Sequence, residues 1–152
     1  MTEIYVDADA CPVREEVYRV AGRLNVGVHV VSNGSRPIRP PGLTYVNMVI
    51  VGDAMDAADD WIAERITAAD ICVTSDIPLA GRCLAKGARV VPPNGRPFTE
   101  ANIGSALAGR EIARHLRELG ETGRGPPPFA KSDRSRFLSA LDTAVQAALR
   151  GR

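Results

Sequence analysis

Along this chain, short β-branched runs alternate with stretches of helical periodicity. Strands are expected at Glu3–Asp7, Val28–Ser32, Tyr45–Val51, Asp70–Ser75 and Ala88–Val91. Helices are expected from Pro12 to about Asn25, from Ala54 to about Ile66 and over Pro78–Lys86, then at about Thr99–Leu119 and about Ser132–Leu149. Pro12 suits a first helical turn, where its missing N–H has no helical partner, and Gly87 suits a helix end. Ala58, Trp61, Ile62 and Ile66 form one stripe, and Phe137, Leu138, Leu141, Val145 and Leu149 another. Pro, Gly and Arg crowd 33–42, and Gly and Pro crowd 120–131, so both read as loops. Strands separated by helices imply βαβ units and a parallel sheet. The runs Val-His-Val-Val and Ile-Cys-Val-Thr are nearly continuous apolar segments, as in strands covered on both faces. The expected fold is α/β, a three-layer α/β/α sandwich on a five-stranded parallel sheet, with C-terminal helices. It occupies 1–152 as one domain, a size that suits one core.

Composition excludes several function classes. Apolar residues are 45% and charged residues 24%, so disorder, collagen and coiled coil fail as whole-chain readings. No apolar run approaches the ~20 residues of a membrane span, and no basic stretch opens a signal peptide. Net charge is +1, which by itself argues for neither nucleic acid nor membrane. All but Lys86 and Lys131 of the 19 basic residues are Arg, a bias spread along the chain rather than gathered in a tail. Cys11, Cys72 and Cys83 are odd in number and not at metal-ligand spacing, which suggests a reduced, cytoplasmic protein. His29 and His115 are too few for a histidine-rich zinc site.

In open α/β sheets ligands bind beyond the carboxyl ends of the strands, and there this sequence concentrates aspartates. Strand one ends in Asp7-Ala8-Asp9, and strand four in Thr74-Ser75-Asp76. Asp53 follows strand three, and the next helix carries Asp56, Asp59 and Asp60. Asp56 and Asp60 share a helix face, with Asp59 close to Asp56. Each acid alone has a structural explanation, since Asp at such positions caps free N–H groups. Together they repel: two carboxylates ~4 Å apart cost roughly 4 kcal/mol at an effective dielectric of ~20. A hard divalent ion removes that cost, and oxygen-only ligands select Mg²⁺ or Mn²⁺. Such an ion activates water and stabilises charge on a phosphoryl oxygen, which serves phosphoester hydrolysis. Asp9 is a further ligand or an orienting group, and Thr74 and Ser75 are candidates to hydrogen-bond a carboxylate or a substrate phosphate.

The segments Val-Asp-Ala-Asp-Ala-Cys-Pro-Val (6–13), Asp-Ala-Ala-Asp-Asp-Trp-Ile (56–62), Val-Thr-Ser-Asp-Ile-Pro-Leu-Ala (73–80) and Gly-Pro-Pro-Pro-Phe (125–129), with Asp133-Arg134, resemble the YaiI/YqxD family of bacterial proteins. The likeness covers essentially the whole chain, and that family is similar to PIN-like nuclease domains, with a parallel sheet and an acidic metal site. The resemblance implies that Asp7 is the first-strand metal ligand, that Asp56 or Asp60 matches the acid of the central helix, and that Asp76 matches the acid after strand four. Many PIN nucleases add a fourth acid. No Asp or Glu stands here between Asp76 and Glu100, and Asn94 is the nearest substitute. That departure weighs against two-metal catalysis.

Other readings compete. Asp7-Ala8-Asp9 imitates the nucleophile motif of HAD-type phosphatases, but their Lys between the second and last motifs is missing, since no Lys precedes Lys86. Cys11 at a helix start suggests a thiolate, without a nearby His; packing explains it better, and Cys72, Cys83 and His29 read as core. Arg124, Lys131, Arg134 and Arg136 flank the Pro-rich loop, and Arg36 and Arg39 stand in the earlier loop. These cations suit a phosphate backbone, and Phe129 suits stacking on a base. Solvated Arg residues and a core-anchored Phe129 are the alternative, with Arg134 as a structural clamp on one of the Asp residues. The expected function is a Mg²⁺- or Mn²⁺-dependent phosphodiesterase, ribonuclease-like, with catalytic Asp7, Asp56 and Asp76. Its partner is RNA or another nucleic acid, without a membrane, and the oligomeric state stays open. The alternative is a non-catalytic nucleic-acid or protein-binding module of the same fold.

Overall fold

The computed structural model describes residues 2–8, 11–34, 38–52, 54, 56–104 and 131–151. In chain order they form β1 (Glu3–Asp7), α1 (Arg14–Leu24), β2 (Gly27–Ser32), β3 (Val46–Ile50), α2 (Ala57–Arg65), β4 (Ile71–Val73), α3 (Ile77–Ala85), β5 (Arg89–Val91) and α4 (Lys131–Leu149). All five expected strands are present, and each expected helix within the described residues forms within three residues of its expected start. Of the helix expected at 99–119 only the first turn is described. Residues 100–104 are helical. Thr99 Oγ1 accepts from the Asn102 N–H at 3.2 Å and Asn102 Oδ1 from the Thr99 N–H at 2.8 Å, a reciprocal cap. The loop 120–130, His115, Arg124 and Phe129 lie outside the described residues, as do Asp9, Arg36 and Asp53.

The strands are all parallel, in the order β3-β2-β1-β4-β5. The chain builds outward from β1 to β3, then returns across α2 to β4 on the other side of β1. Progress therefore reverses between β1 and β4, and the carboxyl ends of these two strands flank a crevice.

Alternation along each strand sends successive side chains to opposite faces. Ile4, Val6, Val28, Val30, Ile71, Val73 and Val91 pack beneath α1 and α4. Tyr5, Val31, Cys72 and Val90 pack beneath α2 and α3 with Ile62, Ile66, Leu79 and Cys83. Both faces are thus covered and the architecture is three-layer. Three residues of the α4 stripe are consumed by this packing, Phe137, Leu141 and Val145, which have no exposed surface, whereas Leu138 is half-buried and Leu149 is exposed. Gly95 lets α4 approach, because a Cβ there would lie 2.6 Å from the backbone of Arg136 and Phe137, and its φ is +78°. His29 is not core as expected. It is half-buried, stacked on Tyr5 at 4.9 Å, with Nε2 3.1 Å from Glu3 Oε1 and its ring centroid 6.0 Å from that of Trp61 on α2. The three cysteines are free and buried. Among the described residues no helix is long and apolar enough to cross a membrane.

Candidate functional site

Asp7 closes β1 and Thr74 follows β4, so strand pairing in the register Val6↔Val73 sets them side by side. Thr74 is buried, at 2% exposure. Its Oγ1 donates to Asp7 Oδ2 at 2.9 Å and accepts the Asp76 N–H at 3.0 Å. One hydroxyl thereby fixes the first carboxylate and the turn that presents the third. Asp76 caps α3, its Oδ1 accepting the Leu79 N–H at 2.9 Å, with Pro78 in the first turn. Ser75 between them is exposed.

The other two acids come from α2. Asp56 is its N-terminal flanking residue and makes no side-chain cap. Asp59, in the first turn, is half-buried and faces Asp76, Asp7 and Asp56. Burial, and next the negative charge of those three, push its carboxyl from 3.8 up to about 6, against a weaker opposing effect of Arg82. Asp60 turns away: its Oδ1 accepts from Arg82 Nη1 at 2.8 Å on the exposed side of α2 and α3. Of the two acids weighed for the central helix, Asp56 joins the group and Asp60 is in an ion pair outside it. Asp59, absent from the expected ligands, takes the inner position. Its signal lay in the pattern, since Ala63 and Ile66 follow it by four and seven residues and both are buried.

Asp70 shows what a structural acid looks like in this chain. It is 2% exposed at the opposite edge of the sheet, and it accepts the Glu3 and Thr67 N–H groups and the Thr67 hydroxyl at 2.8–3.0 Å. Asp59 has like charges where Asp70 has donors.

The remaining expected residues that the structure describes make other contacts. Asn94 is exposed; its Oδ1 accepts the Arg96 N–H at 2.9 Å and its carbonyl accepts from Arg136 Nη1 at 3.2 Å, so it serves the turn against α4. Lys131 is exposed at the start of α4. Arg134 donates to the Pro12 carbonyl at 2.8 Å and to the buried Glu16 at 3.1 Å, a clamp between α4 and α1 that uses a different acid from those anticipated. Cys11 is 6% exposed, and burial pushes its thiol up to about 11, away from a nucleophilic thiolate.

The donor set is all oxygen and all carboxylate, which in chemistry fits a hard divalent cation. Among the described residues, no three His, Cys, Asp or Glu side chains are grouped closely enough to hold an ion as they stand.

Comparison with known proteins supplies the kinship. The family described as "Uncharacterized BCR, YaiI/YqxD family" matches residues 5–147. A UPF0178 protein of Rhodospirillum centenum is 58% identical over 156 residues, covering 100% of both chains. One of Paramagnetospirillum magneticum is 56% identical over 99% of this chain and 98% of its own, and one of Rhodospirillum rubrum 54% identical over 99% of each. No solved structure matches. The expected kinship therefore holds over nearly the whole length, and the chain belongs to the YaiI/YqxD family, whose relatives carry the name UPF0178 protein.

Proposed function

We propose that this chain is a Mg²⁺- or Mn²⁺-dependent phosphodiesterase, ribonuclease-like in substrate class. The observation that carries this reading is the gathering of aspartates at the β1/β4 crevice, where Asp59 is half-buried and its carboxyl is pushed up first by burial and then by the charges of Asp76, Asp7 and Asp56. Acids after the first and fourth strands of an all-parallel sheet are also what a PIN-like nuclease requires. Asp7, Asp56 and Asp76 would hold the cation, with Asp59 inside their ring and Asp9 as a further candidate. When bound, the cation polarises a phosphoryl oxygen and supplies a water nucleophile at neutral pH.

The chain's own groups do the positioning. The Thr74 hydroxyl restricts Asp7, and the α3 N-terminus restricts Asp76, so two carboxylates are held before any ligand arrives. The Asp59 carboxyl is pushed up to about 6 by burial and by its acidic neighbours, and a cation held there would favour its ionised form. Ser75, exposed beside them, would donate to a phosphate oxygen.

Calorimetry with Mn²⁺ tests the reading on the parent, Asp7→Asn and Asp76→Asn. The expected result is binding by the parent and a loss of at least about tenfold in affinity in each variant, with the fold retained. Equal binding by all three removes the site. Binding without cleavage of RNA or DNA moves the protein to the alternative class, a nucleic-acid or protein-binding module that keeps the acidic pocket.

A further inference from the structure

The two edges of the sheet are finished differently. At β5 the Phe98 N–H donates to the Val90 carbonyl at 3.0 Å, in an antiparallel bridge that shields part of that edge. At the opposite edge β3 pairs with β2, and among the described residues no strand lies on its far side. Edge strands are ordinarily protected by charge, by Pro or by a bulge. The run Tyr45-Val46-Asn47-Met48-Val49-Ile50-Val51 has no charged residue, no Pro and no Gly, and its register with β2 is unbroken, so no bulge turns it away. Among the described residues three large apolar side chains are exposed, and two of them bracket this strand. Leu43 stands just before it, and Ile50, 75% exposed, closes it.

Alternation fixes where the backbone groups of β3 point. The Val28 N–H donates to the Tyr45 carbonyl at 2.9 Å, and the Val51 N–H to the Ser32 carbonyl at 2.8 Å. In a parallel ladder alternate residues bond the same neighbour, so Tyr45, Asn47, Val49 and Val51 face β2. Val46, Met48 and Ile50 therefore aim their N–H and C=O groups outward. The Val46 N–H turns back to the Leu43 carbonyl at 3.2 Å. Both groups of Met48 and Ile50, and the Val46 carbonyl, are left for water or for another strand.

We propose that β3 is a homodimer interface, on which a second copy of this chain lays its own β3 antiparallel about a two-fold axis at Met48. The outward set is self-complementary in that register. Met48 meets its own counterpart and exchanges two hydrogen bonds with it. Ile50 of each copy meets Val46 of the other and donates its N–H to that carbonyl, for about four ladder bonds in all. The same pairing sets apolar side chains opposite one another, and it brings the Leu43 end of each copy to the Ile50 end of the other. A second copy is favoured over a foreign peptide because one uncharged strand supplies both halves and the two-fold closes the contact at two chains. The run also offers no charge by which to select a charged partner. None of Asp7, Asp56, Asp59 and Asp76 belongs to β3, so this proposal stands apart from the metal reading.

Sedimentation equilibrium on the full chain tests it, from about 1 to 100 µM, together with hydrogen exchange read residue by residue by fragmentation mass spectrometry. The parent is expected to be a dimer at the upper concentration. Its Met48 and Ile50 amides should exchange at least about tenfold more slowly in the dimer than in the dilute monomer. Ile50→Lys, at an exposed position, should keep the melting temperature of the monomer and weaken the dimer at least about tenfold. Should that variant fail to fold, the exchange of the parent decides. A parent that is monomeric throughout overturns the proposal, and so does a dimer that survives Ile50→Lys unchanged. A dimer whose Met48 and Ile50 amides stay unprotected uses another face and equally overturns it. Protection of both amides in a monomer means that the chain covers its own edge, with the same consequence.

Discussion

Replacing Asp59 with Asn should make the metal-free protein more stable at neutral pH, although it removes a charged group from a folded chain. Asp59 has its folded pKa raised from 3.8 to about 6, first by burial and then by the charges of Asp76, Asp7 and Asp56. For a carboxyl raised in this way the sign is unambiguous. Below pH 3.8 both states are protonated and nothing is lost. Between the two values the unfolded chain ionises while the folded chain does not, and stability falls until the pH has passed about 6. At 1.36 kcal/mol for each tenfold change in proton affinity the interval converts to about 3 kcal/mol. Asp59 is only half-buried, so solvent screening reduces this to about 1 kcal/mol. Asn keeps the shape and abolishes the repulsion. Urea unfolding in a chelator, at pH 4 and pH 7.5, should therefore show the variant and parent equal at pH 4 and the variant ahead by about 1 kcal/mol at pH 7.5. Adding Mn²⁺ should reverse the order, by stabilising the parent more. A gap that does not change between the two pH values, or a variant less stable at pH 7.5, refutes the idea that like charge is concentrated on Asp59.

Three further outcomes follow from named contacts. Asp60→Asn should leave Mn²⁺ affinity within about twofold of the parent by calorimetry, because Asp60 is engaged by Arg82 outside the crevice, with an effect of under about 1 kcal/mol on stability. Arg134→Ala should lower unfolding free energy by about 2–4 kcal/mol in urea titration, since it leaves buried Glu16 without the guanidinium at 3.1 Å. Gly95→Ala should cost about 2 kcal/mol or more and lower the melting temperature, because its φ of +78° and the α4 backbone 2.6 Å from a new Cβ both oppose it.

Much of this fold is legible in the sequence because it is written in local periodicity. Strand β1 is found at Glu3–Asp7 as its alternation predicts, and α4 starts one residue before its expected Ser132. Helix ends were harder. At α2 the expected start at Ala54 moves to Ala57, with Asp56 as the flanking residue. The candidate site was legible in part. The position of Asp7 and Asp76 at strand ends can be read from the sequence, whereas the inward place of Asp59 and the outward place of Asp60 required the phase of α2 against the sheet.

The sequence alone determined what depends on near neighbours: alternating strands and helices, parallel pairing through crossovers, buried thiols, and aspartates after β1 and β4. Strand order belongs to the tertiary structure, because which strands lie side by side depends on how the helical layers pack. From that order came the β1/β4 crevice, the Thr74 hydroxyl on Asp7, the inward place of Asp59, and the diversion of Asp60 to Arg82 and of Arg134 to Glu16. One step along a helix turns a side chain by about 100°. Packing of Ala58, Ile62 and Ala63 on the core sets that angle for α2, so two adjacent, chemically identical acids meet different fates.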